Sequence, residues 1–126
     1  MSNVPVMAMA PIRANLDLVE QAGILALREK SKKLTAYLQE VLDFVAAATG
    51  KHLEIITPMA ARGAQISVHV HGYGRPLFDY LMSEGVITDW REPNVIRMAP
   101  VPLYNSFEDI RAFGVLLKNY LEQHNA

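Results

Sequence analysis

Residues 89–107 have the sequence DWREPNVIRMAPVPLYNSF, whose local signals predict a turn, a strand, a rigid connection and the start of a helix. The turn falls at residues 92–94, and the apolar run at residues 95–99 predicts a short strand that carries one cation. Pro100 and Pro102 lack a backbone N–H, so they cannot extend a central strand and predict a fixed, extended connection. The segment beginning at Ser106 resembles a capping box with Asp in place of Glu or Gln, which predicts a helix start.

Arg97 lies near the end of the apolar run, just before the proline connection. Its guanidinium must contact an anion or open water, because an unpaired charge is costly to bury. The planar fork suits a two-point contact with a carboxylate better than a lysine ammonium does. Two partners remain open from the local chemistry: a structural Asp or Glu of this chain, or the carboxylate of a ligand. A buried internal ion pair at Arg97 would exclude the ligand.

The chain before this stretch begins with two predicted helices. Residues 1–10 are apolar and small and predict a leader or interdomain segment, and Pro11 fits the first turn of a helix. A longer helix is predicted from Ile24 to about residue 48, with Gly50 as its C-terminal cap. The apolar face of this helix consists of Leu34, Leu38, Val41, Leu42 and Val45.

Residues 65–71 (QISVHVH) alternate between polar and apolar side chains, which predicts a half-buried, antiparallel strand. A short helix is predicted from Pro76 and ends at Gly85, and further strands are predicted at residues 53–56, 86–90 and 95–98. The last helix presents an inner stripe of Ile110, Phe113, Leu117, Tyr120 and Leu121. This order predicts an α+β fold, a two-layer sandwich in which helices cover one face of a small, mostly antiparallel sheet. The opposite face would then present Gln65, Ser67, His69 and His71.

Composition excludes several classes of protein. The 126 residues suffice for one domain with its own core, and a content of 51% hydrophobic and 20% charged residues indicates a globular chain. The net charge of −1 has no basic stripe that would favour nucleic acid. The absence of cysteine excludes disulfides and cysteine-based zinc sites. No signal peptide or membrane span is readable, so we expect a soluble, cytoplasmic protein.

The candidate chemical groups each have a simpler structural interpretation. His69 and His71 have a spacing that can chelate zinc, copper or nickel, but no third ligand stands at a recognisable spacing, so we expect solvated histidines and no metal. His52 and His124 are isolated in the sequence. Ser106 is more simply a helix cap than a nucleophile. Neither a catalytic triad nor a glycine-rich phosphate loop can be identified.

Beyond these local signals, residues 89–107 resemble the C-terminal signature of kynureninase, a pyridoxal-phosphate enzyme of the aspartate-aminotransferase fold type. Four preceding segments resemble the family in the same order, at residues 26–31 (ALREKS), 34–38 (LTAYL), 55–58 (IITP) and 62–67 (RGAQIS). The dipeptide Ser2-Asn3 resembles the one that opens this part of the family. The resemblance implies that residues 11–126 form the small domain of a fold-type I enzyme, that residues 1–10 connect it, and that the large domain is absent from this chain.

The resemblance also implies an activity. Kynureninases hydrolyse L-kynurenine or 3-hydroxy-L-kynurenine to an anthranilate and L-alanine, in tryptophan degradation and NAD biosynthesis, and they are homodimers with the active site between the large and small domains. The matching positions imply that Arg97 binds the carboxylate of the amino acid substrate, and that Ser2 and Asn3 reach its aromatic end. No catalytic or cofactor-binding residue is expected in this chain.

Pyridoxal-phosphate chemistry needs a Schiff-base lysine and an aspartate at the pyridine nitrogen, which the family carries in its large domain. The five lysines of this chain do not resemble that motif. We therefore expect the isolated chain to be catalytically inert. The alternative is a free-standing α+β module that binds a carboxylate ligand or a partner without catalysis.

Overall fold

A computed structural model describes residues 5–124 and shows the α+β architecture expected from the sequence. Four helices and four strands follow one another as α1 (Val6–Ala22), α2 (Ile24–Thr49), β1 (Leu53–Ile55), β2 (Ile66–Val70), α3 (Arg75–Ser83), β3 (Asp89–Arg91), β4 (Val95–Met98) and α4 (Phe107–Gln123). Within these described residues, no helix is long and apolar enough to cross a bilayer.

The four strands form one antiparallel sheet in the order β1-β2-β4-β3. β2 alternates as predicted, with Ile66, Val68 and Val70 buried and the residues between them half-buried. The buried side chains pack against α2, α3 and α4, whose inner stripes include Leu34, Leu77 and Leu117. Helices α2, α3 and α4 and the core thus lie on one face of the sheet, and the polar side chains of the strands lie on the other.

Two helix ends are set by the residues that the sequence indicated. Gly50 adopts a left-handed conformation with φ +66° after α2, and its N–H donates to the carbonyl of Ala46 over 2.9 Å. At the start of α4, the Asp109 N–H donates to Ser106 Oγ and the Ser106 N–H donates to Asp109 Oδ2, over 3.2 and 2.8 Å. This reciprocal pair is a capping box. The assignment of Ser106 as a helix cap is confirmed.

Two predicted boundaries are wrong. α1 begins at Val6, so Pro11 lies inside the helix and not in its first turn. The residues before Pro11 are mainly Ala and Met, which favour helix, and the Pro5 carbonyl accepts from the N–H groups of Ala8 and Met9. Strand β3 begins only at Asp89, because the Val86 N–H donates to the carbonyl of Leu81 and so belongs to the end of α3.

Helix α1 buries none of its residues. Its exposed apolar side chains, together with those at the start of α2, are Val6, Met7, Met9, Ile12, Leu16, Leu18, Ile24 and Leu25. We call this group of exposed side chains the α1 apolar surface. A run of exposed apolar side chains of this length is typical of a surface that contacts another domain or protein.

Candidate functional site

The row Ser67, Arg97 and Asp89 crosses the polar face of the sheet. Ser67 in β2 pairs with Arg97 in β4, and Arg97 pairs in turn with Asp89 in β3. Residues that are directly opposite on antiparallel strands lie on the same face. The three side chains are therefore neighbours, on the face away from the helices.

Arg97 makes an ion pair with Asp89. Its Nε donates to Asp89 Oδ2 over 2.6 Å, and its Nη2 contacts the same oxygen. The hydrogen bond from Arg97 is the largest cause that lowers the pKa of the Asp89 carboxyl. The nearby Arg91 lowers that pKa further, because its Nε lies 3.1 Å from Asp89 Oδ2. Asp89 is therefore ionised at neutral pH.

The exposure of this pair bears on what Arg97 can bind. The Arg97 side chain is 30% exposed and the Asp89 side chain 49% exposed. Asp89 is the structural anion that the local chemistry allowed. A buried ion pair would have excluded a ligand, but this pair is not buried. Exposed ion pairs are screened by water and contribute little to stability. A carboxylate from outside the chain can therefore compete for this guanidinium.

The connection after β4 is held by hydrogen bonds from two side chains. Asn105 Oδ1 accepts from the Val101 N–H over 2.8 Å, and the Asn105 N–H donates back to the Val101 carbonyl over 2.8 Å. Lys30 in α2 donates from Nζ to the Pro102 carbonyl over 2.7 Å. These bonds close the connection into a turn, so the expected extended conformation is wrong at residues 102–104. They also tie the segment that follows Arg97 to the longest helix.

A second group on the polar face joins side chains from β1 and the end of β2. Glu54 pairs with His69 across the two strands, and Glu54 Oε2 lies 2.8 Å from His71 Nε2 and 3.9 Å from His69 Nδ1. The hydrogen bond with His71 is the largest cause that lowers the pKa of the Glu54 carboxyl. Glu54 is the third potential ligand that could not be identified from the sequence, because the strand pairing alone brings it to the histidines.

His52 is not isolated, contrary to expectation. Its ring stacks on the ring of His71, with centroids 4.1 Å apart and an interplanar angle of 11°. The two segments are also joined through the backbone, since the His71 N–H donates to the His52 carbonyl over 3.0 Å. His124 likewise has a defined place, where its ring stacks on Tyr120 at the end of α4.

A family model described as "Kynureninase C-terminal domain" matches residues 27–117, which is well over half of the chain. The chain belongs to this family. Similar proteins include the kynureninase of Christiangramia forsetii, which is 52% identical over 119 residues. The kynureninase of Xanthomonas axonopodis pv. citri is 50% identical over 118 residues. The matched residues cover 93% and 90% of this chain, but only 28% and 27% of those two proteins.

The chain therefore spans less than a third of the length of these relatives. Its two other predicted substrate contacts, Ser2 and Asn3, lie outside the residues that the structure describes, so their roles stay predictions.

The cleft between α4 and the end of β4 does not fit pyridoxal phosphate. This cleft has a volume of about 550 Å³ and is lined by Thr88, Met98 and Phe113 among others, with no lysine or arginine among its lining residues to hold a phosphate or form a Schiff base. Lys32 and Lys118 lie in surface pairs with Glu29 and Glu122.

Proposed function

We propose that this chain is the small domain of a kynureninase. The parent enzyme would hydrolyse L-kynurenine or 3-hydroxy-L-kynurenine to anthranilate or 3-hydroxyanthranilate plus L-alanine. Support comes from the family match over residues 27–117 and from relatives named kynureninase that are about half identical to the chain. The large domain of the parent enzyme would hold pyridoxal phosphate and its Schiff-base lysine, in a homodimer.

Arg97 is proposed to bind the α-carboxylate of the substrate. The observation that carries this role is the partly exposed guanidinium on the polar face, paired with a carboxylate that is itself exposed. In the free enzyme Asp89 accepts hydrogen bonds from the Arg97 guanidinium. In the complex the substrate carboxylate would replace Asp89 or accept from the same guanidinium beside it. Both candidate substrates carry the same carboxylate, so this contact serves either one.

The contribution of Arg97 would be positioning and not proton transfer. A guanidinium has a rigid, planar set of donors and stays charged at any physiological pH. Binding the carboxylate at two points fixes the orientation of the α-carbon relative to the groups that the large domain supplies. Asp89 would keep the guanidinium aimed across the sheet before the substrate arrives, because both Arg97 donors already converge on one of its oxygens.

The α1 apolar surface is proposed to contact the large domain. Met7 is 90% exposed and Leu16 60% exposed, which leaves much apolar area in water. The rest of the Christiangramia forsetii kynureninase is more than twice as long as this domain. The parent enzyme would therefore itself supply a domain large enough to cover this surface. Burial of such side chains would contribute about 25 cal/mol for each Å² removed from water.

Substitution of Arg97 tests the site in the enzyme formed by this domain together with the large domain. The Arg97→Lys variant keeps the charge but loses the planar fork, so we expect kcat/KM to fall by about 10²-fold, the scale of a misplacement of about 1 Å. The matched control is Arg111→Lys, because Arg111 pairs with Glu108 on the exposed side of α4. Anthranilate fluorescence measures turnover. Near-normal turnover of the Arg97→Lys enzyme would remove the proposed role.

The same assay separates the enzyme domain from a free-standing module. The domain alone should give no anthranilate and no aldimine absorbance band when pyridoxal phosphate is added. Addition of the separately expressed large domain should restore turnover. If the mixture stays inactive while the domain alone binds simple α-carboxylates through Arg97, the non-catalytic module would be the correct assignment.

A further inference from the structure

A cluster of three potential metal ligands lies on the polar face, beside the Arg97 row and separate from it. Its members are Glu54 on β1, His69 on β2 and His71, which directly follows β2. One ligand atom of each residue lies within 4.8 Å of the other two. We propose that Glu54, His69 and His71 form a binding site for a divalent transition-metal ion of the zinc class. We call this group the His-Glu cluster.

The strand register builds the cluster. Glu54 is directly opposite His69 in the antiparallel pair β1–β2, so their side chains share a face. His71 is two residues beyond His69, and the two-residue period of an extended chain places it on that same face. Its N–H donates to the His52 carbonyl, which continues the pairing of the two segments beyond β2. The three side chains therefore converge because of the backbone, not because of a flexible loop.

The distances suit a metal ion after small side-chain movements. Tetrahedral zinc with bonds of about 2.0–2.1 Å separates its ligand atoms by about 3.4 Å. Glu54 Oε2 lies 2.8 Å from His71 Nε2 and 3.9 Å from His69 Nδ1, values on either side of that separation. The shorter distance is a hydrogen bond between Glu54 Oε2 and His71 Nε2. A bound metal ion would replace the shared proton and contact both atoms.

The donor set selects the class of ion. Two imidazoles and one carboxylate form the protein ligands of known zinc sites that keep a fourth position open. Imidazole also suits copper and nickel, whereas magnesium and calcium prefer an all-oxygen set. The side chains of Glu54 and His71 are 52% and 39% exposed, so an ion can reach the cluster from solvent.

His52 provides support behind the ligands. Its ring stacks on that of His71, and the His71 ring in turn lies 3.8 Å from that of His69, measured between centroids. Such a stack restricts the rotation of the two ligand rings, which lowers the entropy lost when an ion orders them. The sequence predicted solvated histidines because no third ligand could be identified. Glu54 is that third ligand. Solvated histidines and a metal site differ in whether the chain binds Zn²⁺, which can be measured.

Titration of the metal-free chain with ZnCl₂ tests the proposal directly. Isothermal calorimetry should show saturable binding of one Zn²⁺ per chain. Substitution of Co²⁺ should give the visible absorption of a four-coordinate site, and the imidazole NMR signals of His69 and His71 should shift together during the titration. The absence of saturable binding up to millimolar ZnCl₂ would overturn the proposal.

Variants then locate the ion. His71→Gln and Glu54→Gln should each weaken Zn²⁺ binding by at least about 10–100-fold, since removal of even an outer partner of a ligand has that effect. The matched control is His124→Gln, which removes a histidine at the end of α4, outside the cluster, and should leave the affinity unchanged. Circular dichroism confirms that each variant is folded. Equal Zn²⁺ affinity in the His71→Gln variant and the unaltered chain would overturn the assignment. These measurements use no substrate, so their outcome is independent of the kynureninase proposal.

Discussion

Replacement of Gly114 by Ala should destabilise the domain, and the sign of this effect should reverse when Val41 is also replaced by Ala. Gly114 is buried in α4 where this helix packs against α2. A Cβ added at Gly114 would lie 2.3 Å from Val41 Cγ1 but 3.8 Å from Val41 Cβ. Carbon atoms pack best at about 3.5–4.0 Å. The added methyl group therefore overlaps with a single atom of its neighbour.

The expected magnitude follows from two opposing contributions. Overpacking of a core costs about 1–3 kcal/mol, whereas Gly→Ala inside a helix gains about 1 kcal/mol. The net change for Gly114→Ala is a destabilisation of about 0–2 kcal/mol. Rotation of Val41 gives little relief, because valine in a helix strongly prefers one χ1 rotamer. In the Val41→Ala background only the 3.8 Å contact remains, so the same substitution should stabilise by up to about 1 kcal/mol.

Urea unfolding of the four chains in this double-mutant cycle measures the effect, with Trp90 fluorescence and circular dichroism as independent probes. The coupling energy between the two positions should equal the overpacking cost, about 1–3 kcal/mol, which is above the error of additivity for distant sites. If Gly114→Ala changes the free energy of unfolding by the same amount in both backgrounds, the proposed overlap with Val41 Cγ1 is wrong.

Two further predictions concern the start of α4. Ser106→Ala removes the hydroxyl that accepts from the Asp109 N–H, so it should lower the free energy of unfolding by about 1 kcal/mol. Ser106→Asp keeps an acceptor and should lower the free energy of unfolding much less. Urea unfolding at neutral pH compares the two variants. The hydrogen bond from the Ser106 N–H is the largest cause that lowers the pKa of Asp109, so this carboxylate stabilises the fold above the ordinary carboxyl pKa and loses that effect as pH falls through the lowered value. Asp109→Asn should therefore flatten the loss of stability between about pH 5 and pH 3, and an unchanged acid limb in the unfolding curves would contradict the assignment.

Elements whose signal is local were predicted correctly. The alternation around Val68 needs only a two-residue period, and the stripe that includes Phe113 and Leu117 needs only a helical one. The capping box at Ser106 depends on residues within one turn. Each of these patterns sets the local backbone without information from distant parts of the chain.

Features that depend on pairing between distant segments could not be predicted in the same way. The partner of Arg97 is an exception that the sequence could have predicted, because a turn at residues 92–94 places Asp89 opposite Arg97 in the hairpin. The position of Glu54 beside the histidines could not be predicted, because the segment between β1 and β2 does not reveal the register of these strands. The start of β3 was misplaced because Val86 has a high strand propensity, whereas in the structure its N–H closes α3.

The position of the candidate site is a consequence of the core on the other face of the sheet. Trp90 pairs with Ile96, and both point toward the helices, so their neighbours Asp89 and Arg97 must point away. A slip of one residue in this pairing would expose Ile96 and bury the guanidinium, which burial energetics forbid. Because Arg97 points away from the core, we expect substitutions at this residue to leave the packing of the opposite face intact. Under the role proposed for Arg97, a loss of turnover in such variants would therefore report on the site and not on the fold.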